Sequence, residues 1–429
     1  ASDVYKRQIY TLITLLPKTS GTVPGYVFAP VVTDNRHGNW NQGGTFAPNR
    51  SPTGLMTLPN SWPVGCSWGS APHSLITAPS GTPRNLYYPS GFLWPLHLDA
   101  QGLPTNLPGQ AWTTRFSVLG GTDQNLFLSG TTGAASANYP VNAAYPQGGR
   151  MALDTVYTMD NPDAVPAPSW STATVPALTF RRIYANAVLL PDEQVFVVGG
   201  AEYDFLPFRG PSDSFQYLHE RIASPIWFPE MLDLSNPAAQ WVACTPHVSP
   251  RLYHSVAVLL PDGRVLVGGG YHGKKAPNNA QNQPIITLPS HHTHHGFEHS
   301  DFEIFSPDYL FAGVRPQITS VENAFSLTYG ANHAFEVEVL LPGVANPNQA
   351  IKSVCLISPA SVTHHYDWDQ RYIGLHFSAV PGSSKKLLVT PPANGYVAQP
   401  GWYMLFVVSD PAVTNGVKIP SIAAFVHLQ

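Results

Sequence analysis

Charge is what this sequence has least of. Only 11% of its residues are Asp, Glu, Lys or Arg, against roughly 25% in an ordinary soluble domain. Exposed helix faces are normally covered by Glu, Lys and Arg, so this scarcity excludes an architecture of long surface helices. Basic residues number 22 against 26 acidic ones, which leaves no footprint for nucleic acid or an anionic membrane. Long apolar runs are lacking as well: none approaches the ~18–20 residues that span a bilayer as a helix. Cysteine is scarce. Cys66, Cys244 and Cys355 are far apart and odd in number, which excludes a disulfide framework.

Turn and strand chemistry fills the chain instead. Its 429 residues include 43 Pro and 35 Gly, and 43% are hydrophobic, which supplies a large core and the punctuation of short strands. The expected fold class is all-β. The polar, lysine-poor, proline-rich character points to an extracellular protein, and the sequon Asn49-Arg50-Ser51 to a glycoprotein, although Pro52 weakens that reading. Ala1 to Gln8 carries no structural logic and is set aside. Ile9–Leu16 reads as an ordinary first strand, with a signal-peptide remnant as the alternative.

An internal repeat organises the middle of the chain. Arg182-Ile-Tyr-Ala-Asn-Ala-Val-Leu-Leu-Pro-Asp192 leads to Gln194-Val-Phe-Val-Val-Gly-Gly200, and Arg251-Leu-Tyr-His-Ser-Val-Ala-Val-Leu-Leu-Pro-Asp262 leads to Arg264-Val-Leu-Val-Gly-Gly-Gly270. Each copy is a strand, a Pro-Asp turn, a second strand and a diglycine. A fainter copy spans Arg115 to Gly130, with Gln124–Gly130 echoing the second strand. Such a unit cannot bury both faces alone, so the copies stack. Blades of a kelch-type β-propeller, at about 50 residues each, fit, with up to seven blades and with long loops at Phe205–Phe228 and Tyr271–His299. A β-sandwich with a duplicated hairpin is the alternative.

Beyond Arg315-Pro316 the pattern changes to short strands separated by Pro-Gly and Asn-Gly turns. Phe335-Glu-Val-Glu-Val-Leu340 alternates cleanly, as a strand with one buried face does. Six or seven such segments predict an immunoglobulin-like sandwich. The expected division is residues 1–312 for the propeller and 313–429 for the sandwich.

Four stretches now carry a resemblance. Arg251–Leu266, His299-Ser-Asp-Phe-Glu-Ile-Phe-Ser-Pro-Asp-Tyr-Leu310, Val362-Thr-His-His-Tyr-Asp-Trp-Asp-Gln-Arg371 and Pro400-Gly-Trp-Tyr-Met-Leu-Phe406 are similar to the galactose oxidase and glyoxal oxidase family, in the family's order. The resemblance runs from about Arg181 to Gln429; before Arg150 only the blade pattern is visible. It implies a copper held by two histidines and two tyrosines, one tyrosine being cross-linked to a cysteine and cycling between phenol and radical. Carried over, Tyr253 matches the axial tyrosine, which takes the alcohol proton, and His254 the adjacent metal ligand. His364 matches the histidine that the C-terminal domain contributes, with His365 in reserve. A bare Tyr-His pair packs and hydrogen-bonds more often than it binds metal, so the surrounding match is what selects these residues.

The cysteine–tyrosine cofactor is not identifiable in the sequence. Only Cys66 lies early enough, and no Pro-Asp turn or diglycine follows it in register. Its tyrosine is left open among Tyr87, Tyr88 and others, while Cys244 and Cys355 read as core thiols. No thioether on Cys66 is expected. The run His291-His-Thr-His-His-Gly-Phe-Glu-His299 has the composition of a metal-binding loop and equally that of a polar surface. Asp369-Gln370-Arg371 reads as polar scaffolding, and Tyr366 and Trp368 as aromatic anchors of a plug that enters the propeller. The resemblance implies an extracellular oxidase of a primary alcohol or aldehyde, a carbohydrate included, that makes hydrogen peroxide from dioxygen. The competing reading is a non-catalytic relative, a scaffold or glycan-binding protein that contacts itself or an extracellular polymer.

Overall fold

The structure is a computed structural model that describes residues 9–17, 25–34, 54–57, 67–68, 86–123, 150–162, 164, 168–204, 225–271 and 299–429. Strands and a few short 3-10 turns make up all of its regular structure, so the all-β expectation holds among the described residues. None of the described helices is long and apolar enough to cross a membrane. Cys66, the sequon at Asn49, the echo at Gln124–Gly130 and the histidines from His291 to His295 lie outside the described residues.

Three blade sheets follow one another. The first orders Ser90–Leu93, Arg115–Leu119 and Val156–Asp160 with Arg115–Leu119 in the middle. In the second, Asn186–Leu189, Gln194–Val198, Glu230–Asp233 and Val242–Ala243 run in sequence order, and the third has Tyr253–Leu259, Val265–Tyr271 and Phe302–Phe305. All pairings are antiparallel. A further four-stranded sheet joins Ile9–Pro17, Gly25–Asp34, Gly54–Thr57 and Ser67–Trp68. The Pro-Asp motifs form the expected turns: Leu190 N–H donates to Gln194 O at 2.8 Å, and Leu260 N–H to Arg264 O at 2.8 Å. In the faint third copy the strand before the diglycine is Arg115–Leu119, one step earlier than the sequence echo places it.

The diglycines are where successive blades meet. Gly199 has φ +74°, and a Cβ there would sit 2.4 Å from the carbonyl oxygen of Arg251. A Cβ on Gly120 would sit 2.3 Å from the carbonyl oxygen of Arg182. Only glycine combines this backbone angle with this approach. The next glycine of each pair then donates across the junction, Gly121 to Arg182 O and Gly200 to Arg251 O, both at 2.7 Å. Both arginines are fully buried and tie down their own blade. Arg182 donates to Gly199 O at 2.8 Å and to Glu230 at 2.9 Å. Arg251 donates to Gly269 O at 3.0 Å, to Asp301 at 3.0 Å and to Glu303 at 2.9 Å. A buried arginine held by several such bonds fixes the residues just after it, and two positions on stand Tyr184 and Tyr253.

The C-terminal sheets form a sandwich. One orders Gln317–Val321, Phe335–Leu340, Lys386–Val389 and Phe377–Ala379; the other orders Ala424–Leu428, Gly401–Ser409, Ile351–Ile357 and Tyr372–Leu375. The second sheet is extended by Leu96–Leu98 and Pro104–Thr105, a hairpin projected from between two strands of the first blade sheet. Leu96 pairs with Ile373 in parallel. The core is shared as well: Val188, Leu189 and Phe196 of the second blade sheet fall in one buried cluster with Cys355, Ile357, Tyr372 and Phe406 of the sandwich.

Candidate metal centre

Four segments that are remote in sequence bring six aromatic side chains together. Tyr88 and Tyr184 precede the inner strands of the first and second blade sheets, and Tyr253 opens that of the third. His254 follows Tyr253, and His364 and His365 come from the sandwich. Tyr253 is the hub: its ring centroid lies 3.8 Å from His254, 5.3 Å from Tyr88, 5.6 Å from Tyr184, 5.7 Å from His365 and 5.9 Å from His364. The His254 and His364 rings are 5.0 Å apart at 83°. The three residues singled out in the sequence, Tyr253, His254 and His364, do meet.

Local backbone explains how. The pairing of Tyr253–Leu259 with Val265–Tyr271 skips His254, and His254 adopts φ 63°. This irregularity keeps the ring of His254 against Tyr253, where plain alternation would turn the two to opposite faces. The histidine pair of the sandwich is presented differently. Val362–Thr363 and Tyr366–Asp367 form a two-stranded hairpin in which Thr363 faces Tyr366. His364 and His365 are therefore the whole turn, with φ 54° and 69°. Two-residue turns with positive φ at both positions normally take Asn-Gly. Two histidines there cost backbone strain, of a kind that recurs at functional sites.

The turn is docked firmly. Ser90 donates to His365 O at 2.9 Å. Gln370 accepts from Leu189 N–H at 2.7 Å and donates to Ala187 O at 3.2 Å, continuing the hydrogen bonding of the inner strand of the second blade. Arg371 donates to Val397 O at 2.9 Å. Tyr366 is buried among Leu86, Leu93, Phe116 and Tyr157 of the first blade region. Trp368 does not share that role: it lies beyond the strand, which ends at Asp367, and its ring, edge-on to Tyr366 at 5.6 Å, stays 38% exposed. The plug is anchored by Tyr366 and Gln370.

Electrostatics favour neutral imidazoles. Burial, then the neighbouring His254, holds His364 below the ordinary histidine range, and burial pushes His365 well below it. Thr363 Oγ1 is 2.8 Å from His364 Nδ1, which orients the ring and leaves Nε2 as the nitrogen for a metal. His365 is fully buried, and neither of its ring nitrogens meets a hydrogen-bond partner among the described residues. No group of three or more His, Cys, Asp or Glu side chains among the described residues is arranged to hold a metal. The donors that this cluster offers are imidazole nitrogens and phenol oxygens.

Of the two further tyrosines in the cluster, Tyr88 was left open in the sequence as a partner of the cysteine, and Tyr184 was not singled out. Tyr184 packs 4.8 Å from Tyr88 and 5.4 Å from His365. Its signal was present in the repeat, where Arg182-x-Tyr184 aligns with Arg251-x-Tyr253. Tyr88 had only the weaker signal of preceding the strand Ser90–Leu93.

Known proteins resemble this chain in both of its parts. Residues 164–285 match the family described as Glyoxal oxidase N-terminus, and residues 315–428 the family described as Galactose oxidase-like, Early set domain. The aldehyde oxidase GLOX of Vitis pseudoreticulata is 32% identical over 273 residues, covering 61% of this chain and 44% of that protein. A galactose oxidase of Gibberella zeae is 28% identical over 256 residues, covering 58% of this chain and 30% of that protein. The chain thus spans less than half the length of these curated relatives. Among solved structures, a fungal alcohol oxidase in complex with copper shares the fold, with a TM-score of 0.56 and 19% identity over 98% of this chain and 76% of that one. The two family matches of this chain, residues 164–285 in the propeller and 315–428 in the sandwich, together span more than half of it, and the chain belongs to the galactose oxidase and glyoxal oxidase family.

Proposed function

We propose that this chain is an extracellular copper-radical oxidase that converts a primary alcohol or an aldehyde, with dioxygen, into the more oxidised carbonyl product and hydrogen peroxide. The observation that carries this reading is the meeting of His254 and His364, 5.0 Å apart, beside Tyr253 and Tyr184. Two imidazoles with two phenols form a nitrogen and oxygen donor set that suits Cu(II). The relatives named for aldehyde and galactose oxidation, and the copper-bound alcohol oxidase of the same fold, point the same way.

Copper, when bound, supplies a Lewis acid that favours deprotonation of a nearby hydroxyl and an acceptor for one electron. The rest falls to the chain. His254 and His364 would hold the metal, and Thr363 keeps the His364 ring in place. Tyr253 would receive the hydroxyl proton of the substrate at its phenol oxygen. Tyr184, as a phenoxyl, would take the hydrogen atom from the carbinol carbon and become a phenol. The balance is RCH2OH + O2 → RCHO + H2O2, and an aldehyde enters as its hydrate, which carries the same O–H and C–H pair. His254 is exposed and Tyr184 is 2% exposed, so substrate would approach from the histidine side while the radical-bearing ring stays away from water.

The test is to load the protein with Cu(II) and follow oxygen uptake and peroxide release over a panel of primary alcohols, aldehydes and sugars. Peroxide in step with carbonyl product, lost in His254→Ala and His364→Ala, supports the reading. Tight copper binding with no peroxide from any substrate would favour the non-catalytic alternative, a scaffold or glycan-binding protein.

A further inference from the structure

The resemblance implies a sulfur bridge from a cysteine to the metal-facing tyrosine, and the described residues around Tyr184 do not fit it. Cys355 is buried between the sandwich and the second blade, 3.9 Å from Pro191 O. Cys244 lies at the outer end of the second blade, 3.7 Å from Val242 O. The residue against Tyr184 on its first-blade side is Tyr88.

The position of Tyr88 follows from the equivalence of the blades. The inner strands contain Ser90, Asn186 and Ser255 at matching places, with Asn186 Nδ2 donating to Ser255 Oγ at 3.0 Å. Two residues before each stand Tyr88, Tyr184 and Tyr253. Of the two features missing after Cys66, the diglycine follows Tyr88 in register: the strand Arg115–Leu119 leads into Gly120-Gly121, with the hairpin Leu96–Leu98 and Pro104–Thr105 where the other blades have their Pro-Asp turn. The backbone of Tyr88 is left-handed, with φ 47°. Its ring is buried and lies 4.8 Å from that of Tyr184 at 50°.

We propose that Tyr88 occupies the place of the cross-linking cysteine, and that Tyr184 works as an unmodified tyrosine flanked by a second phenol. A thioether forms when a thiol S–H and a ring C–H are replaced by an S–C bond; two protons and two electrons leave, and dioxygen takes them as hydrogen peroxide. Tyr88 has no thiol to enter that step. The proposal rests on the reading that copper binds beside Tyr184.

Intact mass and peptide mapping of the full chain, after copper loading in air, test it without reference to activity. The wild type is expected to keep the mass of its sequence, with Cys66, Cys244 and Cys355 all open to alkylation once denatured. A chain lighter by two hydrogens, with a cysteine peptide joined to that of Tyr184, would overturn the proposal, Cys66 included. The companion variant Tyr88→Cys, treated alike, is expected to lose two hydrogens and to join the peptides of positions 88 and 184. If it binds copper, as read by electron paramagnetic resonance, and stays unbridged, position 88 is not the place. Absence of copper binding in the wild type would instead sink the oxidase reading, and the wild-type mass still decides whether Tyr184 is modified.

Discussion

Gly200 donates its backbone N–H to the carbonyl of Arg251, 2.7 Å away, across the junction between two blades. Two residues beyond that carbonyl stands Tyr253, so the contact that couples the blades also sets the hub of the aromatic cluster. Gly199→Ala tests the coupling. A side chain at φ +74° costs about 1–2 kcal/mol on backbone grounds alone, and its Cβ would meet the Arg251 carbonyl. The urea midpoint is expected to fall, and copper affinity with it, because Tyr253 and His254 must shift.

The anchoring of the plug can be separated from its metal chemistry. Tyr366→Ala removes a buried ring, 4% exposed, and is expected to cost about 3–5 kcal/mol. Trp368→Ala removes a ring that is 38% exposed and should cost under about 1 kcal/mol. Calorimetry checks both. A larger loss for Trp368→Ala would show that the hairpin docks differently.

His364 depends on the hydroxyl beside it. Thr363→Val keeps the shape of the side chain and removes the 2.8 Å contact to Nδ1. Loss of an orienting partner of this kind typically lowers metal affinity by roughly 10–100-fold. Competition against a copper chelator measures it, and the melting temperature of the metal-free protein should hardly move.

His365 sacrifices stability. Two ring nitrogens without hydrogen-bond partners in a buried site cost about 1–3 kcal/mol. His365→Phe keeps a ring against Tyr88, Tyr184 and Tyr253 and is expected to raise the unfolding free energy of the metal-free protein. The gain should depend on pH. Because burial lowers the pKa of folded His365, the unfolded chain binds the extra proton below about pH 6.5. Wild-type stability therefore falls as the pH drops through that value, and the variant lacks this contribution. Asp192 and Asp367, pushed up to about 6 by burial, act with the opposite sign at lower pH. They are common to both proteins and cancel in the difference. Urea titrations of the two proteins at pH 5, 6, 7 and 8 read it out; a constant difference would mean that His365 does not titrate on unfolding.

Much of the fold was legible because its signals are local. The repeat of apolar strand, Pro-Asp turn and diglycine gives blades directly, and the alternation of Phe335–Leu340 gives the sandwich. Tyr253, His254 and His364 were legible through the residues around them. Tyr184 was equally visible in the repeat but has no histidine beside it to draw attention to chemistry. The joint delivery of His364 and His365 was hidden because strand alternation sends neighbours to opposite faces, whereas these two form a turn. Trp368 misled for a different reason: aromatic composition says that a loop has something to bury, and only the place where the hairpin strand ends, at Asp367, says which ring.

The parallel pairing of Leu96 with Ile373 bears on how the protein comes to fold. On the ribosome, the hairpin ending at Pro104–Thr105 emerges long before the strand Tyr372–Leu375 that it must border. Until then its pairing edge is exposed, a hazard for association with other chains. Contacts so distant in sequence close slowly, since the entropy of the intervening loop is lost before the pairing is gained. The edge is sealed by the same sheet that leads into the turn of His364 and His365. The imidazoles therefore arrive among the tyrosines only when the first and last parts of the chain have found each other, and a chain released early would lack the site altogether.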